Sequence, residues 1–173
     1  MRLYAIAYPQ LAANDLELIQ KCRKENNRLY GLIDPHFTFI FMVSDQTISS
    51  FTAEVTKRLR DVKRIHFTLR CATINKDAFS GYYFAFLIPD EGHSSIKKLH
   101  DKLYSYKLSN HHRLDIDYIP HIEIANSLDK IKIKQLVDQW NETDFAITGT
   151  IAYISIITFE NGILETVAAI PLK

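Results

Sequence analysis

Several residue types that would mark a secreted, repetitive or membrane-embedded chain are scarce here. Only two cysteines, Cys22 and Cys71, occur in 173 residues. Their spacing builds neither a disulfide framework nor a metal-ligand set, so they read as small core residues of a reduced, cytoplasmic protein. Five glycines and five prolines leave no low-complexity tract and no linker. The longest apolar runs, residues 37–43 and 82–88, fall well short of the ~18 to 20 residues of a membrane helix and suit buried strands. Near the N-terminus, Asp15 and Glu17 arrive where the apolar stretch of a signal peptide would continue. The net charge of +1 and pI near 7.8 exclude a strong global field for long nucleic acid or an anionic membrane, but not a locally held anion. What is present is 47% hydrophobic and 24% charged residues, an ordinary globular balance with enough chain for one real core.

Hydrophobic periodicity divides the chain into two similar runs of elements. The first begins with a strand at 3–8, stopped by Pro9, and a helix at 12–26 with Leu16, Ile19, Cys22 and Arg23 at helical spacing. Gly31 and Pro35 turn the chain into a strand at 36–43. A helix at 47–61 follows, with Phe51, Val55 and Leu59 four apart, and then a strand at 64–74. The second run has a strand at 82–88 closed by Pro89 and a helix at 94–104 with Ile96, Leu99 and Leu103 inward. A strand at 117–125, interrupted by Pro120, comes next. Ser127 is the expected N-cap of a helix at 128–140, with Leu128, Ile131, Leu136 and Trp140 as its buried stripe. A hairpin, 150–159 and 163–170, closes the chain around Asn161-Gly162, a dipeptide that tolerates the positive φ values of a type I′ turn. The expectation is an α+β fold, βαβαβ written twice with antiparallel strands. It forms one two-lobed domain over residues 1–173, with halves near 1–78 and 79–173.

Seven histidines carry most of the chemical interest. His-x-(Ser/Thr) occurs three times, at His36-Phe37-Thr38, His66-Phe67-Thr68 and His93-Ser94-Ser95, against roughly one expected from composition, so context decides. Residues i and i+2 of a strand share a face. His36, Thr38, Ile40 and Met42 therefore oppose Phe37, Phe39, Phe41 and Val43, and the Phe-rich face is the natural support for helices. Around His121 the pattern repeats, with Ile122 and Ile124 inward and His121, Glu123 and Ala125 on the other face. Each histidine directly follows a proline, Pro35 or Pro120, and the two lie at corresponding places in the two halves.

Pro-His-Phe-Thr-Phe at 35–39 and Pro-His-Ile-Glu-Ile at 120–124 resemble the paired motifs of the two-histidine phosphoesterase superfamily, the 2′-5′ RNA ligase and cyclic phosphodiesterase group. The resemblance implies a bilobal α+β fold with two pseudo-symmetric halves, each an antiparallel sheet with helices outside, and a central cleft between the sheets. It implies His36 and His121 as catalytic residues and Thr38 as a phosphate ligand. The second motif departs from the family pattern, with Glu123 in place of Thr or Ser and Asn126 where many members have Arg. A carboxylate 4 Å from a phosphodiester repels it by ~1 kcal/mol in water, and by more in a partly dry cleft. Glu123, counted with the substrate-binding residues, is expected to be protonated, to orient His121 or to contact a substrate hydroxyl.

The implied activity is hydrolysis of a 2′,3′-cyclic phosphate or a related nucleotide or RNA-end phosphodiester, or the reverse 2′-5′ ligation. One imidazole acts as base and the other as acid, with no metal, no cofactor, no membrane and no obligate protein partner. The alternatives are a non-catalytic nucleotide- or RNA-end-binding protein with a drifted second motif, and a different small-molecule enzyme on a generic α+β scaffold. The remaining features have plainer readings. His66, Thr68 and Arg70 read as a solvated strand face opposite Ile65, Phe67, Leu69 and Cys71, with Arg70 as a phosphate ligand the alternative. His93 and His100 read as surface residues, and His111-His112 with Asp115 and Asp117 as a solvated loop rather than a metal site. Lys57, Arg58, Arg60, Lys63 and Arg64 read as a wet helix face before an RNA guide. Tyr8, Tyr82 and Tyr83 read as core or boundary residues before base-stacking platforms.

Overall fold

Alternating apolar residues and short breaker segments yield nine strands, four α-helices and one 3-10 helix in a computed structural model that describes residues 1–173. In chain order these are β1 (Arg2–Ala7), β2 (Gln10–Leu11), α1 (Ala13–Asn26), β3 (Phe37–Val43), α2 (Ile48–Leu59), β4 (Ile65–Lys76) and β5 (Tyr83–Glu91). There follow α3 (His93–Leu103), the 3-10 helix (Tyr106–His111), β6 (Ile122–Ser127), α4 (Lys130–Asn141), β7 (Ile147–Ile151), β8 (Tyr153–Glu160) and β9 (Ile163–Pro171). One sheet has the order β3-β1-β8-β9 and the other β2-β7-β4-β5-β6. Every pairing is antiparallel. No helix is long and apolar enough to cross a membrane.

The α+β class and the two antiparallel sheets agree with the sequence reading; the allotment of strands does not. The halves 1–78 and 79–173 do not each close their own sheet. The terminal hairpin β8-β9 pairs with β1, while β4, from the first half, lies between β7 and β5. Long antiparallel neighbours explain this: β4 and β5 are joined by a short turn and pair along most of their length. Both sheets feed one continuous buried cluster, in which Phe37 and Phe67, one from each sheet, meet edge to face at 5.0 Å. Helices α1 and α4 pack on the β4-β5-β6 side, and α3 reaches both β3 and β5.

Local departures have identifiable causes. Ala5 pairs with Ile40 and Ile6 with Thr38, while Leu3 pairs with Val43, so β3 carries extra residues against β1. Strict alternation breaks there: Phe39 and Ile40 are both buried, and Phe41 turns to the cleft side. In β4, shifts between Thr68 and Leu69 and between Leu69 and Cys71 bury Thr68 and expose Cys71. Cys22 is only partly buried, so neither cysteine is a core residue. Asp129, not Ser127, caps α4, its side chain accepting from the Ile131 and Lys132 N–H groups. That start rotates the helix so that Ile133, Val137 and Trp140 face inward, leaving Leu128 and Ile131 at 65% and 57% exposed. The hairpin turn behaves as expected, with φ of +52° at Asn161 and +80° at Gly162.

Candidate active site

The two proline–histidine corners place their imidazoles in one cleft of about 440 Å³, together with Thr38 and Glu123. Neither histidine lies inside a strand: β3 starts at Phe37 and β6 at Ile122, each one residue later. Residues 117–121, expected as strand, have no ladder partners. A residue before proline is driven to extended backbone, which sets its carbonyl free of the ladder. In both corners that carbonyl meets the imidazole that follows the proline. His36 Nδ1 lies 2.8 Å from Asp34 O, and His121 Nδ1 lies 2.5 Å from Ile119 O. A carbonyl only accepts, so both Nδ1 atoms carry the hydrogen and both Nε2 atoms are left as the lone-pair ends.

Burial pushes both imidazoles down to about 4, with the carbonyl contact opposing the shift in each. The Arg23 charge lowers His36 further, and a charge on His36 lowers His121. The second effect is the electrostatic signature of two bases sharing one site: charging one disfavours charging the other. His121 stacks on Phe86 at 3.6 Å, and His36 meets Tyr8 edge-on at 6.3 Å. Thr38 presents its side chain to the same cleft, and its backbone carbonyl accepts from Tyr118 Oη at 2.9 Å.

Glu123 is held differently. Its Oε1 accepts from Asn27 Nδ2 at 3.1 Å and from Asn126 Nδ2 at 2.5 Å, and Asn126 Nδ2 also donates to Asn27 Oδ1 at 3.0 Å. Burial raises the Glu123 carboxyl, against the opposing pull of the two amides and of Arg23 and Arg28. Both amides reach the same oxygen, so Oε2 stands outside their cluster. Asn126 comes to the side of Glu123 because the β5-β6 ladder shifts between Ala85 and Phe86, pairing Phe86 with Glu123 and Ala85 with Ala125.

The remaining wall is aromatic. Phe41, Phe84, Phe86 and Tyr118 line the cleft with the 62% exposed Phe79 at its edge, and Phe84 stacks on Phe86 at 5.6 Å. Lys76 supplies the cleft's one Lys or Arg, beside Asp77, Asp115 and Asp117. These wall residues escaped the sequence reading. Phe84 and Phe86 at i and i+2 before Pro89 were a usable signal; Phe41 was not, because only the bulge turns it inward.

Other singled-out residues lie elsewhere. Arg70 pairs with Asp90 and Glu91, and His66 Nδ1 is 2.9 Å from Thr150 Oγ1, so these two ends of the face are solvated while Thr68 between them is buried and donates to Glu91; none of the three lines the cleft. None of the basic run 57–64 lines it either: Arg58 lies over Tyr106 and pairs with Glu54, while Lys63 and Arg64 border a different pocket. Tyr82 is covered by the Arg28 guanidinium at 4.0 Å. His100, expected at the surface, is 1% exposed, because α3 turns it onto β3, where its Nδ1 bonds Phe39 O at 2.9 Å.

The fold and sequence both have relatives. E. coli LigT complexed with 3′-AMP is 14% identical with a TM-score of 0.60, covering 99% of this chain and 98% of that one. TT0787 of Thermus thermophilus is 10% identical with a TM-score of 0.64 over the same shares. Kluyveromyces marxianus Usb1 with uridine monophosphate is 9% identical with a TM-score of 0.61, again covering 99% and 98%. At such identities the likeness concerns the fold. No relative is found among curated protein sequences. A sequence profile, however, matches residues 8–163, a span that contains both proline–histidine corners and most of the chain, and by that match the protein belongs to the 2′-5′ RNA ligase superfamily.

Proposed function

We propose that the cleft is the active site of a metal-independent phosphodiesterase that opens a 2′,3′-cyclic phosphate, or a related phosphodiester at a nucleotide or RNA end. The observation that carries this reading is the matched pair of imidazoles, each fixed through Nδ1 to the carbonyl two residues upstream and each offering Nε2. One neutral Nε2 takes a proton from the attacking water as the new P–O bond forms. The other, carried as imidazolium, gives its Nε2 proton to the ribose oxygen as the old P–O bond breaks. The pair ends with its protonation exchanged, and solvent resets it. Since burial keeps both imidazoles neutral in the free protein at pH 7, the bound phosphate anion itself favours the single proton the pair needs.

Thr38 donates its hydroxyl to a non-bridging oxygen. Glu123 serves as a neutral acid: Oε1 is held by the two amides, and the proton on Oε2 donates to phosphate, standing in for the missing hydroxyl. Its raised pKa favours this, and an arriving anion raises it further. The aromatic wall suits a nucleoside base, and the shortage of cations suits a small or terminal substrate over a long duplex. That two proteins of similar fold were crystallised with nucleotides agrees with this class.

The test is incubation with the four nucleoside 2′,3′-cyclic phosphates and a short RNA ending in one, with EDTA present, beside His36→Ala and His121→Ala. A monophosphate product lost in both variants supports the reading, and the isomer names the leaving oxygen. Glu123 in place of a hydroxyl favours the second reading, a nucleotide-end binder without turnover. Ligand affinity with no product at any time would select it.

A further inference from the structure

Behind the cleft lies a second group of coordinating side chains that the phosphodiester chemistry does not use. His100, Asp101 and His112 each offer one ligand atom, and these atoms all lie within 4.8 Å of one another. His100 and Asp101 stand at the end of α3, and His112 directly follows the 3-10 helix. His100 is 1% exposed, and its Nδ1 is tied to Phe39 O at 2.9 Å. The carbonyl makes Nδ1 the protonated nitrogen, so Nε2 carries the lone pair that a ligand can use. Imidazoles that ligate metals commonly donate their other N–H to a backbone carbonyl in this way.

From this geometry we infer a binding site for a zinc-class divalent cation at His100 Nε2, His112 and Asp101. Two imidazoles and a carboxylate form a borderline ligand set that suits Zn²⁺, with a fourth position left for water. Bonds of about 2.0–2.2 Å need ligand atoms closer together than 4.8 Å. The exposed Asp101 can supply that movement: its present partner is Lys97 one helical turn away, an exposed pair worth little. His112 is half-buried and stacked on Tyr104 at 4.7 Å, which already aims its ring at His100, 5.3 Å away.

The role is structural. The ion would join α3 to the segment after the 3-10 helix. That segment leads to Tyr118, which stacks on His100 at 3.5 Å and donates to Thr38 O. It would therefore stiffen the back wall of the cleft without touching substrate, and turnover in EDTA is compatible with it.

The test uses tag-free protein stripped with EDTA and desalted, then titrated with Co²⁺. One ion per chain is expected, with the visible bands of a tetrahedral site, displaced by one equivalent of Zn²⁺. His112→Ala should abolish the bands, and Asp101→Asn should weaken binding about tenfold or more. Zn²⁺ should raise the melting temperature of the wild type but not of His112→Ala. The metal-free melting temperature of each variant reports its folding, and the exposed Asp101→Asn serves if His112→Ala fails to fold. Absence of stoichiometric Co²⁺ binding by the wild type would overturn the site. So would unchanged binding by a folded His112→Ala, which would put the ion on another histidine. Neither result bears on the cyclic-phosphate assay, which is read without metal.

Discussion

The corner before β3 and the corner before β6 place a histidine by the same means and then diverge two residues later. In both, proline frees the preceding carbonyl, the carbonyl takes the Nδ1 hydrogen, and the ring presents Nε2 to the cleft. At the next cleft-facing position β3 has Thr38, whose carbonyl is braced by Tyr118, while β6 has Glu123, fixed by Asn27 and Asn126. The surroundings differ as well, since His36 is near Arg23 and His121 is stacked on Phe86. Placement of the imidazoles is thus duplicated, and the side chain two residues on is not.

The largest break in the comparison is removal of a base. His36→Ala and His121→Ala should each lower kcat on a cyclic phosphate by about 10² to 10⁴-fold. The double variant should be little worse than either single one, because residues acting as a unit are not additive. Rates in singles and double, with circular dichroism to confirm folding, check this. A large loss for one histidine alone would mean that the duplicated geometry does not reflect duplicated function.

Next comes pH. The reactive form carries one proton on the pair, and both free imidazoles sit near 4. Above that value the one-proton fraction of free protein falls about tenfold per pH unit, so kcat/KM should rise as pH drops from 8 towards 5. Bound phosphate restores the imidazolium, so the basic limb of kcat should lie at higher pH than that of kcat/KM. Rate profiles over pH 4.5–9 test both statements. A kcat/KM that stays level up to pH 8 would mean that the pair is not buried as described.

The third effect separates the two i+2 residues. Thr38→Val should cost about tenfold in kcat/KM, the value of one hydrogen bond to a charged group. Glu123→Gln should stay within a few fold of the wild type, because an amide N–H can replace the acid proton and the amide oxygen can keep Asn27 and Asn126. If Glu123 acts as an anion, Glu123→Gln should instead lose as much as Thr38→Val, and the role assigned to it fails. Glu123→Ala leaves the Asn27 amide without its acceptor and Asn126 with Asn27 Oδ1 alone, and should cost about 1–3 kcal/mol of stability by denaturant unfolding.

Legibility in the sequence follows the range of the interactions. The paired Pro-His corners, the helices with Phe51-Val55-Leu59 and Ile96-Leu99-Leu103, and the Asn161-Gly162 turn depend on neighbours a few residues apart, and they were readable. The exchange of β4 against β8-β9 was not, because strand pairing is settled by competition among long-range partners. Bulges carried the rest away from a period-two reading: they turn Phe41 into the cleft, expose Cys71 and bring Asn126 beside Glu123. The Asn27–Glu123 contact spans 96 residues and has no local signature. His100, polar by composition among lysines, is buried only because a carbonyl of β3 meets it.

The smallest effect concerns how one corner is braced from behind. Tyr118 is the one side chain that donates to the backbone of Thr38, and its ring packs between His100 and Phe41. Tyr118→Phe keeps the ring and removes the O–H, leaving the Thr38 carbonyl without that donor. A net loss of about 1 kcal/mol in unfolding free energy is expected. The rate on a cyclic phosphate should fall by less than tenfold, since the Thr38 hydroxyl is retained and only its alignment loosens. The β6 corner has no such brace, so the Tyr118→Phe loss should appear in Glu123→Gln as fully as in the wild type. In Thr38→Val, where the aligned hydroxyl is already gone, it should largely vanish. A double-mutant cycle over these three positions reads that coupling directly. Equal losses in all backgrounds would place the contribution of Tyr118 in the aromatic wall and not in the strand that carries Thr38.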